Sequence, residues 1–130
     1  MNILIVDDTK YQLSLYRMYL EKQGHTITEA SDGEAALELN WTLFDVVVMD
    51  LLMPRMNGDE VARKSIEKWG HRVPPILIFT ALDNNVIQQL TLRLPPGVKV
   101  YQKGGTKDEV LAMIDEAVNA TATAIAYSGS

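Results

Sequence analysis

The sequence predicts an α/β fold built on an open, doubly wound parallel sheet. Three observations lead there. The apolar runs at residues 3–6, 46–49 and 76–79 are far too short to span a membrane. They are apolar without alternation, as strands covered on both faces are. Between them lie segments with apolar residues at helical spacing. The two kinds of segment alternate along the whole chain, which implies right-handed βαβ units.

Taken in order, residues 3–6 form the first strand and run into Asp7-Asp8. Residues 9–23 carry a helical stripe through Leu13, Tyr16 and Leu20, stopped by Gly24. Residues 25–29 are short and β-branched, which suits an outer strand. Ser31 with Glu34 gives a capping box ahead of a helix over 35–40. The central strand covers 44–49 and delivers Asp50. Asn57 and Glu60 form a looser cap pair before a helix over 61–69, with Val61, Ser65 and Trp69 inward. Pro74-Pro75 precede a strand at 76–79, which ends in Thr80-Ala81. Asp83 caps a helix through Val86, Ile87 and Leu90, stopped before Pro95-Pro96. Residues 98–102 are the last strand, and Thr106 with Glu109 caps a final helix carrying Val110, Leu111, Ile114, Ala117 and Val118. Periodicity gives five strands and five helices but not the strand order.

Composition bounds the function. A chain of 130 residues, 47% apolar and 22% charged, suits one core. We expect one domain over 1–119 and a small-residue tail or linker remnant over 120–130. The net charge of −5 argues against direct nucleic-acid binding and against membrane-surface binding. No window suits membrane insertion. With no cysteine, disulfides, thiolate chemistry and Cys-based zinc sites are excluded. Met1 leads straight into a strand pattern, not a signal peptide, so a cytoplasmic location is expected.

Ligands of open α/β sheets gather at the carboxyl ends of the strands. Asp7-Asp8, Asp50, Thr80-Ala81 and Tyr101-Gln102-Lys103 all lie at strand ends. If the strands are neighbours, three carboxylates, a hydroxyl and an ammonium share one edge. Taken alone, Asp7-Asp8 serve equally well as a helix cap, and Asp50 as a turn residue. Together they point to a divalent cation that relieves like-charge repulsion, beside a carboxylate nucleophile suited to forming an aspartyl phosphate. Magnesium favours a few carboxylates, retained waters and phosphate oxygens. Lysine supplies a point charge for phosphate.

The residues that carry this chemistry also resemble a family. The acidic pair Asp7-Asp8, Asp50 in Asp-Leu-Leu-Met-Pro-Arg-Met-Asn-Gly, Thr80 before a small Ala81, and Lys103 are similar to the two-component response regulator receiver domain, the family of the chemotaxis response regulator. The resemblance covers about residues 1–119 and implies a flavodoxin-like sheet of order 2-1-3-4-5. It implies Asp50 as phosphoacceptor, served by a sensor histidine kinase or histidine phosphotransfer protein. It also implies magnesium (or manganese) on Asp7, Asp8, Asp50 and the backbone carbonyl of Leu52. Thr80, the Ala81 amide and Lys103 would hold the phosphoryl oxygens. Thr80 and Tyr101, two residues before the lysine, would relay occupancy to the face of the fourth helix, last strand and last helix. Output then goes to a downstream protein target or to an output domain outside these residues. The family also implies that Leu52 and Leu82 border the path of attacking water.

One departure stands out. Receivers usually place proline after the lysine, whereas Gly104-Gly105 come after Lys103. The reach and rigidity of Lys103 are therefore not given by the family pattern. A pseudo-receiver, binding partners without phosphate, is the alternative function. A flavin-binding or hydrolytic α/β domain lacks its phosphate loop or nucleophile elbow here. His25 and His71 have no partner at metal-ligand spacing, and Trp41 and Trp69 suit core or rim.

Overall fold

A computed structural model of the chain describes residues 1–128. The strands are β1 (Asn2–Val6), β2 (Thr26–Ala30), β3 (Val46–Asp50), β4 (Ile76–Thr80) and β5 (Val98–Gln102). They pair in parallel in the order β2-β1-β3-β4-β5, as the resemblance implies. The helices are α1 (Lys10–Lys22), α2 (Gly33–Leu37), α3 (Gly58–Trp69), α4 (Asn84–Thr91) and α5 (Lys107–Ser128). No helix among the described residues is long and apolar enough to cross a membrane.

Successive strand residues point to opposite faces, so unbroken apolar strands feed two cores. Ile3, Ile5, Val48 and Phe79 meet Leu13, Tyr16 and Leu20 of α1 and Leu111 and Ile114 of α5. Leu4, Val6, Met49 and Ile78 meet Ala36 of α2 and Val61 and Ala62 of α3, with Leu90 of α4 partly buried against them. These strands have little freedom to slip, because a one-residue shift would exchange the residues offered to the two layers.

Element boundaries depart from the sequence pattern where side chains compete locally. The cap of α2 is Asp32 and not Ser31: its Oδ1 accepts from the Ala35 N–H at 2.7 Å. The helix then stops at Leu37 instead of running to 40. A short 3-10 turn, Trp41–Leu43, comes next, and the Phe44 N–H donates to the Trp41 carbonyl. Phe44 is thereby spent on the turn, and β3 starts at Val46. Trp41 is fully buried, and its Nε1–H donates to the Ala36 carbonyl at 2.8 Å. In α3 the buried residues are Gly58, Val61, Ala62 and Ser65, while Trp69 is half-buried and stacks on Trp41. Asn57 stands at the start of α3 but makes no cap bond; its Oδ1 accepts from the Met53 N–H instead. Asp83 caps α4 and Thr106 caps α5 as expected. Val86, expected inward, is exposed; Ile87 holds the core position. The last helix continues past 119, through Ser128.

Gly58 opens α3 tight against β3. Its N–H donates to the Leu51 carbonyl at 2.7 Å, and a Cβ there would lie 2.5 Å from the Asp50 carbonyl oxygen. Backbone cannot give way as a flexible side chain can. Gly58→Ala should therefore lower the unfolding free energy by about 1–3 kcal/mol in chemical denaturation, the usual range for overpacking. Gly104→Ala, with open space around it, should change stability by no more than about 0.5 kcal/mol. Equal stability of the two variants would show that the α3–β3 contact does not constrain the fold.

Candidate functional site at the carboxyl edge of the sheet

Register builds the site. Val6 pairs with Met49, so the next residues along, Asp7 and Asp50, emerge side by side. Asp7, Asp8 and Asp50 each offer a carboxylate oxygen within 4.8 Å of the others. Asp7 is 1% exposed, Asp8 is exposed and Asp50 is half-buried. Asp7 Oδ1 accepts from the Thr9 N–H at 2.9 Å. Asp7 Oδ2 is buried and has no hydrogen-bond partner. The helix-cap alternative for the pair fails here, because the N-cap of α1 is Thr9.

Asp50 Oδ1 accepts from the Leu51 N–H at 3.0 Å and from Lys103 Nζ at 3.4 Å. Burial raises the Asp50 pKa, and the Lys103 ammonium opposes the rise. Asp7 is pushed up to about 6, first by burial and then by the Asp50 and Asp8 charges, against the Thr9 amide and Lys103. Three crowded carboxylates, one with an orphaned buried oxygen, make a hard-oxygen set that fits a divalent cation such as magnesium.

Lys103 reaches the site without a following proline. Its N–H donates to the Thr80 carbonyl at 2.6 Å, which extends the β4–β5 ladder by one bond. Its Nζ also donates to Gln12 Oε1 at 3.3 Å. Thr80 comes directly after Phe79, the register partner of Asp50, and is buried at 1% exposure. The Thr80 hydroxyl oxygen accepts from the Leu82 N–H at 3.2 Å. Ala81 lies exposed at the mouth of the next loop, and Leu52 is 52% exposed in the loop after β3.

Tyr101 stands on β5 near the last helix. It stacks on Phe79, with ring centroids 5.1 Å apart, against the α1/α5 core. Strand alternation turns the Thr80 side chain to the opposite, α3/α4 face. Val98 and Val100 are the β5 residues packed on that face. Thr80 and Tyr101 therefore do not form a side-chain relay on one face. The two histidines precede β2 and β4 and so lie at the amino edge, away from the acids.

Pattern reading does not mark Gln12 and Tyr16 as part of the site. Tyr16 has the helical spacing of a core residue, and it is buried as one. Its hydroxyl nevertheless donates to Gln12 Oε1 at 3.3 Å, which joins it to Lys103. The available signal was the four-residue step from Gln12 to Tyr16, which puts both on one helix face.

A family model for the response regulator receiver domain matches residues 3–115. The chain belongs to that family. Among curated relatives of this receiver, the transcriptional regulatory protein ResD of Bacillus subtilis is 41% identical over 83 residues. SrrA of Staphylococcus aureus, also named a transcriptional regulatory protein, is 41% identical over 80. Each match covers 61% of this chain and 32% of the relative, so the chain spans about a third of their length. Among solved structures, the signal receiver domain of a Syntrophus aciditrophicus signal transduction histidine kinase superposes with a TM-score of 0.77 at 22% identity. It covers 95% of this chain and 91% of that one. The Vibrio cholerae chemotaxis protein CheY4 gives 0.69 at 22% identity, covering 88% and 96%. These structural likenesses bear on the fold.

The raised pKa of Asp7 has a consequence for stability. A carboxyl whose folded pKa lies near 6 and whose unfolded value is 3.8 binds its proton more tightly when folded. Its ionisation therefore destabilises the fold, progressively as pH rises from 3.8 and fully above about 6. Asp7→Asn should stabilise the metal-free receiver at pH above 6 by about 1–3 kcal/mol. The gain should shrink as pH falls and vanish well below 3.8, where Asp7 is protonated in both states. Thermal denaturation in a chelator checks this; a gain independent of pH would refute it.

Proposed function

We propose that this receiver is a phosphorylation-driven signalling switch with Asp50 as its phosphoacceptor. The observation that supports this most is the company Asp50 keeps. Two further carboxylates lie within 4.8 Å and the Lys103 ammonium lies at 3.4 Å. In the proposed transfer, an Asp50 oxygen forms a bond to phosphorus as the N–P bond of a phosphohistidine breaks. The donor is a sensor histidine kinase or a histidine phosphotransfer protein. Asp7 and Asp8 with Asp50, and the carbonyl of Leu52, would hold magnesium or manganese. When bound, the ion offsets the carboxylate charge and offers a position for a phosphoryl oxygen. Lys103 supplies the fixed positive charge, and Thr80 and the Ala81 amide supply donors for the remaining oxygens. Such preorganised charge accounts for most of the catalysis in phosphoryl transfer.

A phosphorylation-independent interaction module has less support. Such a module has no use for three crowded carboxylates, which cost stability without a cation. ResD and SrrA are named transcriptional regulators and are about three times as long as the matched region. By analogy, the receiver over 1–119 acts on a downstream protein or on an output domain, with 120–130 as the start of a connection. The run of α5 through Ser128 suits a helical connection. Direct nucleic-acid contact is then no part of this domain's work, and a cytoplasmic location is implied by the kinase partner.

Phosphoramidate with magnesium should add one phosphoryl group per chain, read by intact mass, and Asp50→Asn should abolish it. Equal labelling of the Asn variant would sink the assignment.

The phosphorylated state should also be long-lived. Leu52 is exposed beside Asp50 and offers attacking water no hydrogen bond. Leu82 is half-buried against the α3/α4 core, so it has a packing role as well. Leu52→Asn alone should therefore speed loss of phosphate severalfold, because positioned water is a large part of this catalysis. First-order decay in magnesium without phosphatase measures it. A half-life of seconds in the unaltered chain, or no acceleration in the variant, would overturn the idea.

A further inference from the structure

We propose that Gln12, braced by Tyr16, is a positioning residue that sets the Lys103 ammonium beside Asp50, a task the Gly104-Gly105 segment cannot perform. The inference rests on the reading of Lys103 as the cation that meets the phosphoryl group.

Among the described residues, the head of Lys103 is bonded to Gln12 and to Asp50. Its backbone is tied to Thr80, but Gly104 has nothing within 4 Å of where a Cβ would stand. Gly105 adopts a φ of +83°, in the left-handed region that glycine favours. The lysine stem borders a small cavity lined also by Tyr16, Asp50 and Phe79. A four-carbon stem is flexible, so polar partners decide where its ammonium rests.

Gln12 supplies the missing restraint from α1. Its Oε1 accepts from Lys103 Nζ and from the Tyr16 hydroxyl, each at 3.3 Å. An ammonium only donates, which fixes which end of the Gln12 amide faces it. The Tyr16 ring is 5% exposed and packed in the α1/α5 core, so its hydroxyl is a fixed brace for the amide. Nζ is thus shared between Gln12 at 3.3 Å and Asp50 at 3.4 Å. Both distances exceed the roughly 2.7–2.9 Å of a tight charge-assisted bond. Gln12 keeps the ammonium from closing fully onto the Asp50 carboxylate, where it would blunt the nucleophile. It leaves the ammonium placed for an incoming phosphoryl oxygen.

Phosphoramidate tests this in the full chain. In that reaction an Asp50 oxygen bonds to phosphorus, the P–N bond breaks, and the protonated nitrogen leaves as ammonia with the electron pair. Gln12→Leu removes the acceptor and keeps the bulk. Its rate constant at saturating donor should fall about fivefold, equivalent to about 1 kcal/mol. The magnesium concentration for half-maximal rate should stay within about twofold, since Gln12 adds no carboxylate to the acid cluster. Gln12→Glu retains an acceptor oxygen and should recover most of the rate. Tyr16→Phe, which loses only the brace, should fall about twofold, as loss of one neutral hydrogen bond allows. The side-chain nitrogen resonance of Lys103 should move in Gln12→Leu and return in Gln12→Glu.

An unchanged rate and resonance in Gln12→Leu would overturn the proposal. Slowing in Gln12→Leu with an unmoved Lys103 resonance would also overturn it, because only bulk or fold would then matter. Failure of the underlying reading looks different: Lys103→Ala or Asp50→Asn would label as fast as the unaltered chain.

Discussion

Like charge brought together by register is the constraint on which the site depends. Parallel pairing of β1 with β3 leaves Asp7 and Asp50 no choice but to emerge as neighbours, with Asp8 next in line. Carboxylates this close, one of them nearly inaccessible to water, disfavour ionisation together. Burial raises the pKa of both Asp7 and Asp50, and the neighbouring carboxylates add to the rise. The conflict persists because the strands beneath are buried on both faces and cannot splay to relieve it. Among the described residues, the Lys103 ammonium is the counter-charge in contact with Asp50. Whatever adds positive charge or removes negative charge at this edge acts on the same conflict.

The loops around the edge are shaped by the same need to hold position. After Asp50 the chain must leave the sheet and return as α3 within a few residues. Gly58 permits that by bringing the helix start against the Asp50 carbonyl. Asn57 forgoes its cap and holds the Met53 N–H instead, so the loop is braced at the helix's expense. Arg55 takes a positive φ of 68°, uncommon for a residue with a side chain, and its guanidinium meets the Asp32 cap of α2. That ion pair is exposed and adds little stability. Its position ties the loop to α2.

Much of this was legible in the sequence, for reasons that also explain the rest. Unbroken apolar runs mark covered strands whatever the surroundings, so β1, β3 and β4 were plain. Asp50, Thr80 and Lys103 were legible because each stands at a strand end. Helix starts were less so, because two cap candidates in succession, Ser31 and Asp32, satisfy the same local rule. The true start of β3 depended on Phe44 being taken up by a 3-10 turn, which no strand pattern records. The face occupied by Tyr101 depended on the alternation of β5, and counting back from the lysine does not give it. The step from Gln12 to Tyr16 was readable, but its tie to Lys103 was not, because that partner lies ninety-one residues away. Only the packing of α1 over the sheet brings them together.

The separation of Thr80 from Tyr101 bears on how the edge communicates with the rest of the molecule. The two side chains leave opposite faces of the sheet, and the backbone connects their strands. The Thr80 carbonyl holds the Lys103 N–H at 2.6 Å, a short bond that joins the end of β4 to the residue just past β5. The Thr80 hydroxyl holds the Leu82 N–H and so fixes the lead into α4. A shift of Thr80 toward a ligand at Asp50 would give up the second bond while the first stayed in place. The loop into α4 would be freed, whereas Lys103 would remain tied to β4. Tyr101, stacked on Phe79 under α5, would feel the change through the strand that carries both Phe79 and Thr80. Leu82 is packed on the α4 side of the sheet. The bond from its N–H to the Thr80 hydroxyl thus joins the acid edge to the lead into α4.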